Sequence, residues 1–292
     1  MQPVVLDLVV NQRKTCIFRQ PELAEIGKEG SLRLEWYQYI MVIAAGFACG
    51  FINTLAGSGS LISLPLLIFL GLPANIANGT NRVAIMLQNT VGVWRFHRAG
   101  VLDWRKAWIL AIPTILGAIV GAQIAVNLDE QTMRRVIGAV MVIMLVVMII
   151  RPKRWLEGQT ELTSKRPGIM QMLVFFAIGI HGGFIQAGVG VFLLAGLVLG
   201  AGFDLVRGNA IKLFIILLFT AFALAIFVAN DQVVWSVGLI MAIGNMSGAW
   251  IGARTAVKRG AGFVRWVLMA VVVVSAVLLL DIPALIRTWF NL

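Results

Sequence analysis

Arg82 and Lys212 each lie within a long apolar run, whereas no Asp or Glu falls in the interior of any such run. A lysine at the centre of a bilayer costs about 2.5–3.5 kcal/mol on insertion scales, so a cation kept there has a task or an escape. The escape is snorkelling to the interface, which Arg82, closer to the start of its run, reaches more easily than Lys212. The task is suggested by what lies beside them. At about 100° per residue, Asn78, Asn81, Arg82, Gln88 and Asn89 share one face of a helix. In a second stretch Asn209, Lys212 and Thr220 take the places of Asn78, Asn81 and Asn89. Such a stripe serves either helix–helix hydrogen bonding or the lining of a polar site. Carboxylates are the usual cation sites and proton relays of membrane proteins, and their absence leaves an anion as the ligand these residues suit.

Two helix interruptions sharpen that reading. Gly57-Ser58-Gly59-Ser60 and Gly188-Val189-Gly190 break apolar stretches, and lipid cannot satisfy backbone groups freed in this way. Such breaks must face protein or water. A helix resuming at Ser60 or Val191 aims unpaired N–H groups and a partial positive charge at its break. Asn53, Ser58 and Ser60 add donors in the first break and Gln186 in the second, while Gly57, Gly59, Gly188 and Gly190 give backbone access. His181 reads as a packing histidine rather than a proton carrier. Thr114 and Asn245 occupy equivalent mid-helix positions that face the same lining. Gly117, Gly121, Gly248 and Gly252 form small faces for helix packing. No metal or cofactor is expected.

These residues must be positioned by membrane helices. The 292 residues are 60% hydrophobic and 13% charged, with mean hydropathy +0.91. Soluble domains carry roughly twice that share of charge, and the alternation of an outer-membrane barrel is absent. The composition is that of an all-α polytopic membrane protein. A net charge of +11 is common in nucleic-acid binders, but 13 of the 24 Lys and Arg here cluster in residues 95–106, 151–166 and 254–265. Basic clusters beside apolar spans mark cytoplasmic loops, so no nucleic-acid partner is expected. Cys16 and Cys49 imply no disulfide framework.

The chain divides into a polar tail (1–35), a first membrane repeat (36–150), a basic cytoplasmic linker (151–168) and a second repeat (169–285). Segments are predicted at 36–56, 61–70, 74–96, 104–126 and 132–150, then at 169–187, 191–201, 205–229, 235–253 and 264–280. An offset of 131 lays Gly57 on Gly188, Gly71 on Gly202, Asn78 on Asn209 and Trp104 on Trp235; over 104–126, 10 of 23 residues are identical to their partners. A two-residue gap before the break brings Asn53 onto Gln186. The basic loops 95–106 and 254–265 have copies, 226–237 and 123–134, that lack the basic excess. Equivalent loops then lie on opposite sides of the membrane. That predicts two inverted-topology repeats, with about 8–10 membrane segments and broken or re-entrant helices.

The run Gly50-Phe51-Ile52-Asn53-Thr54-Leu55-Ala56-Gly57-Ser58-Gly59-Ser60-Leu61-Ile62-Ser63-Leu64-Pro65, with Gly71-Leu72-Pro73 and Asn78-Gly79-Thr80-Asn81-Arg82, resembles the sulfite exporter TauE/SafE family, also known as the toluene sulfonate uptake permease family. Gly183 to Gly190 and Asn209-Ala210-Ile211-Lys212 resemble its diverged second repeat. The resemblance covers roughly residues 36–285. It departs where relatives often carry a glycine run, since serines interrupt it here. It implies a multi-pass cytoplasmic (inner) membrane carrier for sulfite, a sulfonate or a related sulfur-containing anion, coupled to an ion gradient. It also implies that Thr80 belongs to the binding run. The residues themselves supply only the anion; sulfur comes from the resemblance. The partners expected are a small anionic substrate and the bilayer, with the coupling ion unspecified and a homo-oligomer left open. The competing readings are an enzyme acting on a membrane-embedded substrate and a non-transporting assembly protein. The first lacks an acid–base pair, and the second has no use for a polar midplane.

Overall fold

The computed structural model describes residues 36–150 and 168–279. The tail, the linker up to 167 and the end of the second repeat lie outside the described residues. Nine helical elements make up the regular structure of the described part: α1 (Trp36–Ala56), α2 (Ser60–Phe69), α3 (Ala74–Arg98), α4 (Trp104–Val126), α5 (Glu130–Ile150), α6 (Ile169–Phe184), α7 (Val189–Ala195), α8 (Leu205–Ala229) and α9 (Trp235–Leu279). A π turn, Gly196–Gly200, prolongs α7, and α9 turns sharply at Gly260, whose φ is 70°.

Among the described residues, four spans are long and apolar enough to cross a bilayer: α1, α4, α8 and Trp235–Val264 of α9. The 25 residues of α3 are as many as those of α8, but its polar stripe of amides and Arg82 is entirely buried. That stripe is tolerated because α3 packs against α8 and α9 rather than lipid. Ile112, Leu116, Val120 and Ile124 on α4, and Leu239 and Ile243 on α9, are exposed. They present the apolar outer surface a bilayer requires. The ten residues of α2 reach about 15 Å at 1.5 Å per residue, half the hydrocarbon thickness.

Glycine sets the tightest packing. Between α1 and α9, a methyl built on Gly50 falls 2.1 Å from the Asn245 carbonyl oxygen, and one on Gly248 2.1 Å from that of Phe47. Between α4 and α6, a methyl on Gly121 falls 2.0 Å from the Ile180 oxygen and one on Gly183 2.0 Å from that of Ala118. Each interface joins the first helix of one half to the fourth of the other. The central α3 and α8 also pack on each other.

The halves repeat in backbone detail as well as in sequence. Left-handed residues pair at the 131 offset: Gly57 with Gly188 (φ 78° and 74°), Gly71 with Gly202 (95° and 71°), and Gly100 with Asp231 (70° and 55°). Outside the membrane segments the acids start helices. Asp204 accepts from the N–H groups of Val206 and Arg207, Asp103 from Lys106, and Asp129 from Thr132. Bonds from Thr132 hold the Asp129 carboxyl below the ordinary carboxylate range.

Three expected boundaries differ. The second break begins at Ile185, not Gly188: Ile185 is extended (φ −135°, ψ 121°), and Gly188 is the left-handed residue before α7. The helix therefore resumes at Val189 rather than Val191, and Gly190 is helical. The basic stretch 254–265 is mostly helix, with its reversal at Gly260, since Arg254, Lys258 and Arg259 continue α9 past the expected end at residue 253.

Candidate functional site

The two breaks meet. A methyl on Gly57 would lie 2.3 Å from the Gly190 carbonyl carbon, and one on Gly190 would lie 2.5 Å from the Gly57 Cα. Only a residue without Cβ at both positions lets the two backbones come this close. Gly57, at φ 78°, also turns the chain in a conformation that L side chains seldom adopt. Gly59 abuts the Cys49 carbonyl, and Gly188 lies against the Met144 side chain.

Both buried cations are directed at helix ends. Lys212 Nζ donates to the carbonyls of Asn53 (2.9 Å) and Thr54 (3.1 Å) and to Asn209 Oδ1. Asn209 Nδ2 donates to the Leu55 carbonyl at 3.1 Å. These carbonyls are the C-terminal end of α1; that of Asn53 also accepts from the Gly57 N–H at 3.0 Å, and the ammonium and amide from α8 satisfy those of Thr54 and Leu55, which the break leaves open. The first half answers in kind. Arg82 donates to the carbonyls of Gly182 (3.2 Å), Gly183 (2.6 Å) and Phe184 (3.4 Å), and Asn78 Nδ2 to that of Phe184 (2.8 Å). The Arg82 guanidinium also sits 4.5 Å from the centroid of the Phe227 ring. Each half thus caps the broken helix of the other with one cation and one asparagine, where the helix dipole favours positive charge. Both side chains are fully buried, so neither snorkels.

The remaining predicted residues divide by partner. Thr80 Oγ1 accepts from the Val234 N–H at 2.9 Å, tying α3 to the start of α9. Gln186 Nε2 donates to Thr220 Oγ1 at 2.7 Å, joining the second break to α8. Asn81 accepts from Ser63 Oγ at 2.7 Å. Asn53, Ser58 and Ser60 are buried at the first break, and Ser58 Oγ has no partner. His181 contacts the Ala187 carbonyl at 3.0 Å and the Phe192 ring edge-on. Thr114 bonds its own helix at Leu110, whereas Asn245 reaches Gln88. Sequence reasoning did not single out Ser63, which bonds Asn81, or Cys49, which lies beside Ser63 and Asn245. Ser63 stands three residues after Ser60 on the same face of α2, a spacing that carried the signal. A lone buried cysteine carried none.

The family model described as sulfite exporter TauE/SafE matches residues 42–279. A protein named "probable membrane transporter protein ORF9" from Sinorhizobium sp. is 25% identical over 260 residues, 88% of this chain and 98% of its own. The "probable membrane transporter protein YfcA" of Escherichia coli K12 is 25% identical over 235 residues, 80% of this chain and 86% of its own. A "probable membrane transporter protein" of Haemophilus influenzae is 25% identical over 225 residues, 77% of this chain and 88% of its own. No solved structure matches. With four apolar crossing-length helices and a family match over most of its length, the chain is a multi-pass membrane transporter of the TauE/SafE family.

Proposed function

We propose that this chain is a secondary carrier for a small oxyanion, with sulfite, a sulfonate or a related sulfur-containing anion as its substrate class. The anion binds at the point where the two helix breaks meet. The observation that carries this reading is the backbone apposition of Gly57 and Gly190. It brings the start of α2 and a cluster of buried amides and hydroxyls to one place, with no carboxylate among the described residues inside the apolar spans. A helix N-terminus without a competing acid favours a negative ligand. Sulfur is supported by the family description alone.

The two halves act as an inverted repeat in the cytoplasmic membrane, and alternating access follows from one half moving against the other. Reciprocal capping supports this. Arg82 and Lys212 hold the ends of α6 and α1 in the arrangement described, and exchanging those partners would let each break reshape in turn. The carrier reading is preferred to an enzyme because no acid–base pair converges on the breaks.

The test is a binding screen of the purified protein against sulfite, sulfate, thiosulfate, taurine and sulfoacetate. Counterflow in proteoliposomes follows for any ligand that binds. At least one of the sulfur oxyanions is expected to bind and exchange. A folded protein that binds none of them removes the anion reading.

A further inference from the structure

The polar network of the first half has no equivalent in the second. Ser63 Oγ donates to Asn81 Oδ1 at 2.7 Å, and the Cys49 thiol lies beside the side chains of Ser63 and Asn245. Asn245 Nδ2 donates to Gln88 Oε1 at 3.4 Å. All five side chains are buried, from α1, α2, α3 and α9. The network nevertheless leaves atoms unused: Asn81 Nδ2, Gln88 Nε2 and Asn245 Oδ1 have no partner, nor has Ser58 Oγ at the adjoining break. Unpaired amide groups this deep in an apolar protein are costly unless something fills their valences.

The second half shows what happens when nothing is to be bound there. The counterparts of Cys49, Ser63, Asn81, Gln88 and Asn245 are Gly182, Leu194, Lys212, Phe219 and Thr114. A methyl on Gly182 would fall 2.9 Å from Phe219 Cζ, so the Phe219 ring lies directly over that glycine. Lys212 is engaged with the end of α1, and Thr114 with its own helix at Leu110. The space is occupied by a ring, and of the polar groups at that break only Gln186 Oε1 is left without a partner.

We infer that the ligand-selecting part of the transport site is one-sided: the polar cluster of Cys49, Ser63, Asn81 and Gln88 from the first half and Asn245 from α9 forms a chamber beside the first break that takes the oxygen end of the anion, and its counterpart beside the second break is plugged by Phe219. This rests on the anion reading above and deepens it. The unpartnered N–H groups of Asn81 and Gln88 are donors, as an oxyanion requires. The start of α2 stands against the chamber, since a methyl on Gly59 would fall 2.9 Å from Cys49 Sγ. That helix end contributes partial positive charge. The breaks therefore admit the anion, and the amides of α3 and α9 choose it.

Copying the plug is the test. Anion affinity is measured by calorimetry on the full chain in detergent, with sulfite and sulfoacetate as probes. The proteins are the unaltered chain, Gln88→Phe and Gln88→Met, with thermal stability as the folding control. Gln88→Phe is expected to abolish binding. Gln88→Met keeps the length and removes the amide. It should weaken binding about tenfold to a hundredfold, the worth of a hydrogen bond to a charged group. It removes one unpaired N–H group and one long hydrogen bond from Asn245 Nδ2, so its ligand-free melting temperature should change little. Gln88→Met decides the matter if Gln88→Phe does not fold. If the unaltered chain binds a probe and Gln88→Met binds it with the same affinity, the chamber holds only water. The one-sided site is then overturned while the anion reading stands. If the unaltered chain binds neither probe, nor any other sulfur oxyanion, the anion reading falls and the chamber proposal with it.

Discussion

Substituting alanine for the two glycines at the meeting point separates conformational strain from collision. Gly57→Ala meets both. Its φ of 78° places an L residue in the left-handed region, at about 1–2 kcal/mol. The new methyl also falls 2.3 Å from the Gly190 carbonyl carbon. Overpacking costs about 1–3 kcal/mol, and the upper end applies because the obstacle is backbone that cannot rotate away. The expected loss is about 4–5 kcal/mol. Gly190→Ala meets the collision alone, its methyl falling 2.5 Å from the Gly57 Cα. It regains about 1 kcal/mol from helix propensity, leaving a loss of about 2 kcal/mol. Gly71→Ala meets only the strain, with φ at 95° and nothing within 4 Å. Its loss is about 1–2 kcal/mol. Unfolding in mixed micelles by increasing dodecyl sulfate measures all three. Gly57→Ala should exceed each of the others by about 2 kcal/mol or more. A Gly190→Ala protein as stable as the unaltered chain would refute the contact, and with it the claim that the two breaks share one site.

Lys212→Met leaves the Thr54 carbonyl and Asn209 Oδ1 without a donor, and Arg82→Met the carbonyls of Gly182 and Gly183, at about 1–3 kcal/mol apiece, offset by relief of a buried charge worth about 2.5–3.5 kcal/mol. A net loss of about 1–3 kcal/mol is expected in the same unfolding assay, and an unchanged or raised midpoint for both would remove the capping role. Asp204→Ala removes acceptors used by the N–H groups of Val206 and Arg207, for a loss of about 1 kcal/mol. A stability equal to that of the unaltered protein would show that the cap contributes nothing. Single cysteines introduced in a background lacking Cys16 and Cys49 should place residues 99–103 on one side of the membrane and 230–233 on the other. Labelling of both from the same side would end the inverted-repeat reading.

The parts of the fold that depend on side-chain hydrophobicity were open to sequence reasoning. Trp36–Ala56, Trp104–Val126 and Leu205–Ala229 begin and end where the apolar runs placed them. Glycine pattern also located the first break. It misplaced the second by three residues, because Ile185 and Gln186 leave the helix although neither residue type signals a stop. The β-branched Ile185 settles into extended backbone there, a geometry that suits it. Charge misled in another way. Arg254, Lys258 and Arg259 read as a loop, yet a helix extends past residue 253 without penalty once its side chains reach water. Composition reports where polarity changes, and secondary structure need not change with it.

The cations show most clearly what the residue types withhold. Arg82 and Lys212 could be recognised as costly, and so as purposeful, from their apolar surroundings. Their partners could not, because those partners are backbone carbonyls a hundred or more residues away, and every residue offers one. A carbonyl becomes a strong acceptor for a cation only when a helix stops and leaves it unpaired. The breaks and the cations are therefore one requirement expressed twice. Each break exposes acceptors that lipid cannot satisfy, and the opposite half supplies an asparagine and a cation to meet them. This also accounts for the missing carboxylates. An acid at either break would compete with the carbonyls for the cation and carry negative charge to the start of α2. Its absence keeps the donors of the first half, Asn81 and Gln88 among them, available to a negative ligand.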